Sequence, residues 1–221
     1  LEAVKPLLKA KGYDLEIVEF TDYVTPNIAV NEGELDANFF QHLPYLSEFN
    51  KNKNTDLVKT VNVHLEPMGL YSHKIKALGE LADGATIAVP NDPTNESRAL
   101  DILVKEGLLT FKDVDFKTVV DIIENPKNLK IKELDAPQLP RVLDEVDAAI
   151  INTNYALSAN LNPLKDAIII ESKDSPYANI VVVKKGNENK DSIKALNEAI
   201  NSEEIRTFIK EKYQGSIVEA F

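Results

Sequence analysis

The sequence predicts an α/β protein with a largely parallel sheet. Short β-branched or apolar runs alternate with segments in helical period along all 221 residues. The clearest strand, Ala85-Thr-Ile-Ala-Val89, is broken by Pro90-Asn-Asp-Pro93 and followed at once by a helical stretch. A composition of 43% hydrophobic and 28% charged residues belongs to a chain able to bury a core.

Each element has its own local signal. Residues 2–11 read as a helix with Val4, Leu7 and Leu8 on one face, ended by Gly12, and Pro6 falls in its first turns. Residues 14–20 alternate Leu15, Ile17 and, less cleanly, Phe20, as a strand does. Thr25-Pro26 starts a short helix through Val30 that closes near Gly33. Residues 36–40 read as a strand, 41–51 as a polar helix with Pro44 near its start, and 55–63 as a strand carrying Leu57, Val58, Val61 and Val63. Residues 66–72 continue extended after a break at Pro67, and a helix is expected over 75–81. After the strand at 85–89, Asp92 supplies an N-cap acceptor and Pro93 a first helical position that needs no N–H. Ala99, Leu100, Leu103 and Val104 then form an apolar stripe, and Gly107 stops the helix. Residues 116–123 fit a strand or a helix equally. Strands follow at 129–134, 147–151, 167–170 and 179–183, with short helices at 138–145 and just after 152–155. The last forty or so residues read as helical, with Ile193, Leu196 and Ile200, then Ile205, Phe208 and Ile209 in period.

Composition removes several classes of function. The formal net charge is −11, from 36 acids against 25 bases, which argues against nucleic acid and against docking on anionic lipid. No cysteine is present, so thiolate nucleophiles, thiolate metal sites and disulfides are all excluded. No apolar run approaches the ~18 residues that span a bilayer. The sequence opens in helical period with no capping residue before it. It is therefore expected to begin inside a helix, with an upstream segment that carried any targeting signal. His42, His64 and His73 form no HExxH pair, and His64-Leu-Glu66 lacks the cysteine half of a deaminase motif, so His64 reads as a strand residue with a partner. There is no GxSxG elbow, no Walker A loop and no GxGxxG. These absences point away from an enzyme, and no metal or cofactor is expected.

What remains suits binding. Asn95 and Arg98 lie three apart in the first turns of the helix that begins at Pro93, so they share a face. A helix N-terminus at the carboxyl end of a strand attracts anions, and an arginine adds a two-pronged donor for a carboxylate. Two readings stay open: a grip on the carboxylate of a small ligand, or a solvated arginine paired with Glu96 or Asp101. Phe39-Phe-Gln-His-Leu-Pro-Tyr45 mixes rings for an apolar tail with donors for polar groups, although at least one phenylalanine there can be plain core. Asn152 and Asn154 follow a buried strand, as ligand donors or as turn formers. Ser175-Pro-Tyr-Ala-Asn179 has the same two readings. No linker separates two domains; two lobes would share strands near 65–72 and 175–183.

Four motifs occur in order: Asp36-Ala-Asn-Phe-Phe-Gln-His-Leu-Pro-Tyr-Leu46, Pro90-Asn-Asp-Pro-Thr-Asn-Glu-Ser-Arg-Ala-Leu100, Ile151-Asn-Thr-Asn-Tyr-Ala156 and Asp174-Ser-Pro-Tyr-Ala-Asn179. Together they closely resemble the methionine-binding lipoproteins of ABC importers, the NlpA-type family, over essentially the whole chain. The resemblance implies a two-lobed, periplasmic-binding-protein-like fold (type II) that closes over a ligand in the cleft between its lobes. The lobes would comprise residues 1–72 with 178–221, and 73–177, with crossovers near 65–73 and 174–181. It implies that Arg98 and Asn95 grip a carboxylate, that Asn179 and Asn152 meet the ligand's amino and carboxylate groups, and that Phe40, His42 and Tyr71 wall the thioether, with Tyr23 and Tyr45 nearby. The implied ligand is methionine, a related amino acid or a short methionine peptide. The implied partners are an ABC permease and its ATPase, served by a monomer with no nucleic-acid role. A lipid anchor on an upstream cysteine would hold the protein at the outer face of the cytoplasmic membrane or in the periplasm. An enzyme on the same scaffold, for which His42 is the histidine within a ligand motif, and a ligand-sensing module are the alternatives.

Overall fold

The computed structural model describes residues 1–172 and 174–221. Two compact units emerge, Leu1–Glu66 with Asp174–Phe221, and Pro67–Lys173, so the chain passes between them twice. The first unit begins with a 3-10 turn at Glu2–Val4, α1 (Lys5–Ala10), α2 (Thr25–Glu32), β1 (Asn38–His42), α3 (Leu43–Lys53) and β2 (Leu57–Leu65). The second unit contains β3 (Gly69–Tyr71), β4 (Thr86–Pro90), α4 (Pro93–Lys105), β5 (Thr110–Phe111), β6 (Ile122–Glu124) and β7 (Lys130–Leu134). It continues with β8 (Ala148–Ile151), α5 (Thr153–Ser158), α6 (Pro163–Asp166) and β9 (Ile169–Ile170). The chain then returns as β10 (Asn179–Lys184), α7 (Asp191–Ile200), α8 (Glu203–Tyr213) and β11 (Val218–Glu219). No helix among the described residues is long and apolar enough to cross a membrane.

The sheets are less parallel than the alternation of elements predicts. In the first unit the strand order is β1-β10-β2-β11 and every pairing is antiparallel. β1 and β2, joined through α3, run the same way, but returning β10 lies between them and opposes both. Periodicity makes β1-α3-β2 look like a parallel unit, because local spacing carries no trace of a strand inserted from much later in the chain. In the second unit the order is β7-β4-β8-β3-β9, with β4 parallel to β7 and β8, and β3 antiparallel to β8 and β9. Because β3 is bonded into this sheet, it belongs to the second unit, which starts at Pro67.

Strand alternation explains how the second unit is layered. Ile87, Val89, Leu70, Ala148 and Ile150 face one core, which α4 covers with Ala99, Leu100, Ile102 and Leu103. Ala88, Tyr71, Ala149 and Ile151 face the other, covered by Leu139, Leu143, Val146 and Ala156. A sheet buried on both faces needs near-continuous apolar strands, which β4 and β8 supply. The first unit packs Val30, Leu46, Phe49 and Leu57 against Ile180 and Val182 of β10.

Several expected elements differ. Residues 14–20 form no strand, although half-buried Leu15 and Ile17 do alternate with exposed Glu16 and Val18. The helix expected over 75–81 shrinks to a 3-10 turn at Leu78–Glu80. Ser72 Oγ accepts from the N–H groups of Lys74 and Ile75, and Glu80 accepts from that of Lys76, so side chains take the donors a helix would use. The helix expected at 138–145 is a 3-10 run at Ala136–Val142, where Pro137 and Pro140 each remove a donor. Within the ambiguous 116–123 stretch, a capped turn at Val119–Asp121 leads into β6.

Candidate functional site

In the second unit the candidate residues gather at the start of α4. Asp92 caps the helix, its Oδ1 accepting the Asn95 backbone N–H at 3.0 Å. The same carboxylate accepts from Thr94 Oγ1 at 3.1 Å, and Asn95 Nδ2 lies 3.1 and 3.0 Å from its two oxygens. Burial pushes the Asp92 carboxyl up, and the donors from Asn95 and Thr94 oppose that shift. Asn95 Oδ1 in turn accepts from Asn152 Nδ2 at 3.0 Å. Asn152 follows β8 and is buried, and its Oδ1 has no hydrogen-bond partner among the described residues. The structure therefore joins Asn95 to Asn152, two residues far apart in sequence.

One helical turn on, Arg98 is buried and not solvated, contrary to the plainer of its two sequence readings. Its partner is neither Glu96 nor Asp101. Nε donates to Glu171 Oε1 and Oε2 at 3.0 and 3.1 Å, and Nη2 donates to Oε2 at 2.5 Å. Glu171 Oε2 also accepts the Met68 N–H at 3.0 Å. The two side chains are 5% and 6% exposed, so this is a desolvated pair. Asp101 pairs with Lys117 instead. Glu96 accepts the Val119 N–H, and burial, with the Glu133 carboxylate next in effect, pushes its carboxyl up to about 7. Glu171 lies in none of the four sequence motifs; its only signal is an acid directly after the apolar run Ile168-Ile-Ile170.

Tyr71 is fully buried on β3, with its ring against the Cα of Gly69, where an added Cβ would lie 2.9 Å from Cε2. Its hydroxyl has no hydrogen-bond partner among the described residues. Burial, then the Asp166 carboxylate, push that phenol well above its usual range.

The first unit gathers the remaining candidates. Asp22 Oδ1 accepts from the N–H groups of Val24 and Thr25, forming the turn that presents Tyr23. The Tyr23 ring stacks on Phe40 at 5.7 Å and meets Tyr45 edge-on at 6.0 Å. Tyr45 also packs edge-on against Phe40, and its hydroxyl donates to the Tyr23 carbonyl at 2.8 Å. His42 caps α3, its Nδ1 accepting the Tyr45 N–H, which places the ring proton on Nε2. Tyr177, in the return crossover and not singled out from sequence, lies edge-on to His42 at 4.9 Å. Asn179 begins β10 opposite both His42 and His64. His64 pairs with Glu66 at 2.8 Å, and its 3.4 Å approach to Asn179 Nδ2 is too long to anchor that amide. Phe39 packs on His64, whereas Phe40, at the bulge between Phe39 and Gln41, joins the tyrosines.

Beneath this aromatic cluster lies a buried amide network. Asn27 Nδ2 donates to Gln41 Oε1, and Asn38 Nδ2 donates to Asn27 Oδ1 and the Pro26 carbonyl. Gln41 Nε2 donates to Asn27 Oδ1 and Asn38 Oδ1. It ties α2 to β1 and so fixes the strand that carries Phe40 and His42. Among the described residues no three His, Asp or Glu side chains converge as a metal site. Chemically, the second unit offers a paired cation and an oriented acceptor, and the first offers rings and amides.

The profile of the NlpA lipoprotein family matches residues 1–221. The D-methionine-binding lipoprotein MetQ of Escherichia coli K12 is 45% identical over 225 residues, covering 100% of this chain and 83% of that protein. A nutrient-binding protein from Burkholderia cenocepacia, solved bound to methionine, superposes with a TM-score of 0.97 at 48% identity, over 100% of this chain and 94% of that one. A crystal structure of the methionine-binding protein MetQ matches with a TM-score of 0.96 at 45% identity, over 100% and 92%.

Proposed function

The chain belongs to the NlpA lipoprotein family, with its two-lobed, periplasmic-binding α/β fold, and we propose that it is the methionine-binding component of an ABC importer. The observation that carries this reading is Asn152 Oδ1, a buried acceptor without a partner among the described residues, held through Asn95 at the helix start that also carries Arg98. A buried polar atom in that state calls for a donor. A zwitterion supplies one in its ammonium group, and its carboxylate is the natural partner of a guanidinium. The aromatic residues of the first unit, Tyr23, Phe40, His42 and Tyr45, suit a polarizable thioether, since sulfur–ring contacts contribute about 0.3–1.5 kcal/mol each. Asn179 would serve the ligand's polar end and Tyr71 its surroundings.

The protein would hand methionine to a membrane permease driven by its ATPase, acting as a monomer by binding and release without turnover. Relatives named as lipoproteins support an extracytoplasmic, lipid-anchored location. Isothermal titration tests the central point. Methionine binds the purified protein, and Arg98→Met weakens that binding by roughly 2–5 kcal/mol, the range for truncating one partner of a buried charge pair. Near-native affinity in Arg98→Met would remove this arginine from the site, and no heat from methionine with the unmodified protein would refute the proposal.

A further inference from the structure

The Asn152 amide can face a ligand with its oxygen or with its nitrogen, and shape alone does not decide between them. The structure shows what does. An ionised carboxylate accepts hydrogen bonds and never donates them. Both Asp92 oxygens face Asn95 Nδ2, so the Asn95 amide must turn its NH2 to Asp92 and its oxygen to Asn152. Asn152 must then answer with its NH2, which leaves Oδ1 as the buried atom without a hydrogen-bond partner among the described residues. Resting on the reading of this site as a methionine site, we propose that Asp92 is a positioning residue. Through Asn95 it sets the polarity of Asn152 and so selects a ligand that bears a hydrogen-bond donor, an ammonium group, at that point. Asp92 does this without touching the ligand.

Asp92→Asn isolates the effect. Asparagine caps helices as well as aspartate does, so the start of α4 is kept. The amide oxygen introduced there takes the Asn95 backbone N–H, as Asp92 Oδ1 does now. Its NH2 then faces the Asn95 side chain, which reverses Asn95 and next Asn152, putting a donor where the unpaired Oδ1 now lies. The probes are methionine and 4-(methylthio)butanoate, which has the same thioether and carboxylate but no ammonium group. The unmodified protein should prefer methionine by about 10- to 150-fold, the worth of a hydrogen bond to a charged group. In Asp92→Asn that ratio should fall at least about tenfold, mainly through weaker methionine binding.

A merely structural role for Asp92 would weaken both compounds together, so an unchanged ratio overturns the proposal. A second measurement needs no ligand. In the unmodified protein the Asn152 side-chain NH2 donates to Asn95 and its NMR signals should be protected from exchange; in Asp92→Asn that protection should be lost. Protection that persists equally in the variant also overturns the proposal. If the unmodified protein fails to bind methionine while the NMR difference appears, the functional reading falls and the relay stands.

Discussion

Arg98 and Glu171 form a buried pair whose worth a double-mutant cycle can measure. Arg98→Met keeps the aliphatic stem and removes the guanidinium that pairs with Glu171. Glu171→Gln keeps the shape and an acceptor but removes the carboxylate charge that faces the guanidinium. With both side chains about one-twentieth exposed, solvent can do little to compensate the loss of either partner. Each single change should therefore cost about 3–5 kcal/mol. At about 2–4 °C per kcal/mol for a chain of this size, that lowers Tm by roughly 6–20 °C. The double variant removes both members of the pair, so its cost should fall short of the sum of the single costs by about 1–3 kcal/mol. Urea denaturation of the ligand-free protein supplies the four stabilities. Costs that add to within about 0.5 kcal/mol would show that the two groups do not depend on each other, and the reasoning would fail.

Two further outcomes follow from the site's surroundings. Asn27→Ala removes the hub of the buried amide network and leaves Gln41 Oε1 without its donor, so the urea midpoint should correspond to a loss of about 1–3 kcal/mol. A loss below about 0.5 kcal/mol would mean the network repairs itself. Glu96, raised from 4.5 to about 7, holds its proton more tightly folded than unfolded. Its contribution to stability is thus complete below about pH 4.5 and is lost as pH rises towards 7. Calorimetric scans across that window should show Glu96→Gln, which can still accept the Val119 N–H, declining less steeply than the unmodified protein. Parallel declines would locate the titration elsewhere.

Much of the fold was legible because its signals are local. The Asp92-Pro93 start of α4, the closure of α2 at Gly33 and the β-branched runs of β4, β8 and β10 each follow from a few neighbouring side chains. The 14–20 stretch misled because alternation reports a half-covered side, whereas a strand also needs a neighbour to bond. The 75–81 stretch misled because Ser72 and Glu80 compete for backbone donors in a way that composition does not reveal.

By itself the sequence determined the α/β class and the short stretches from which a site could be assembled. Only the tertiary structure decided that β10 lies between β1 and β2, that Arg98 is neutralised by Glu171, and that Asp92 reaches Asn152 through Asn95. The physical reason is range. Caps and periodicity depend on residues within a turn or two of each other, while a buried charge or amide takes its meaning from whichever distant group the fold brings within 3 Å of it.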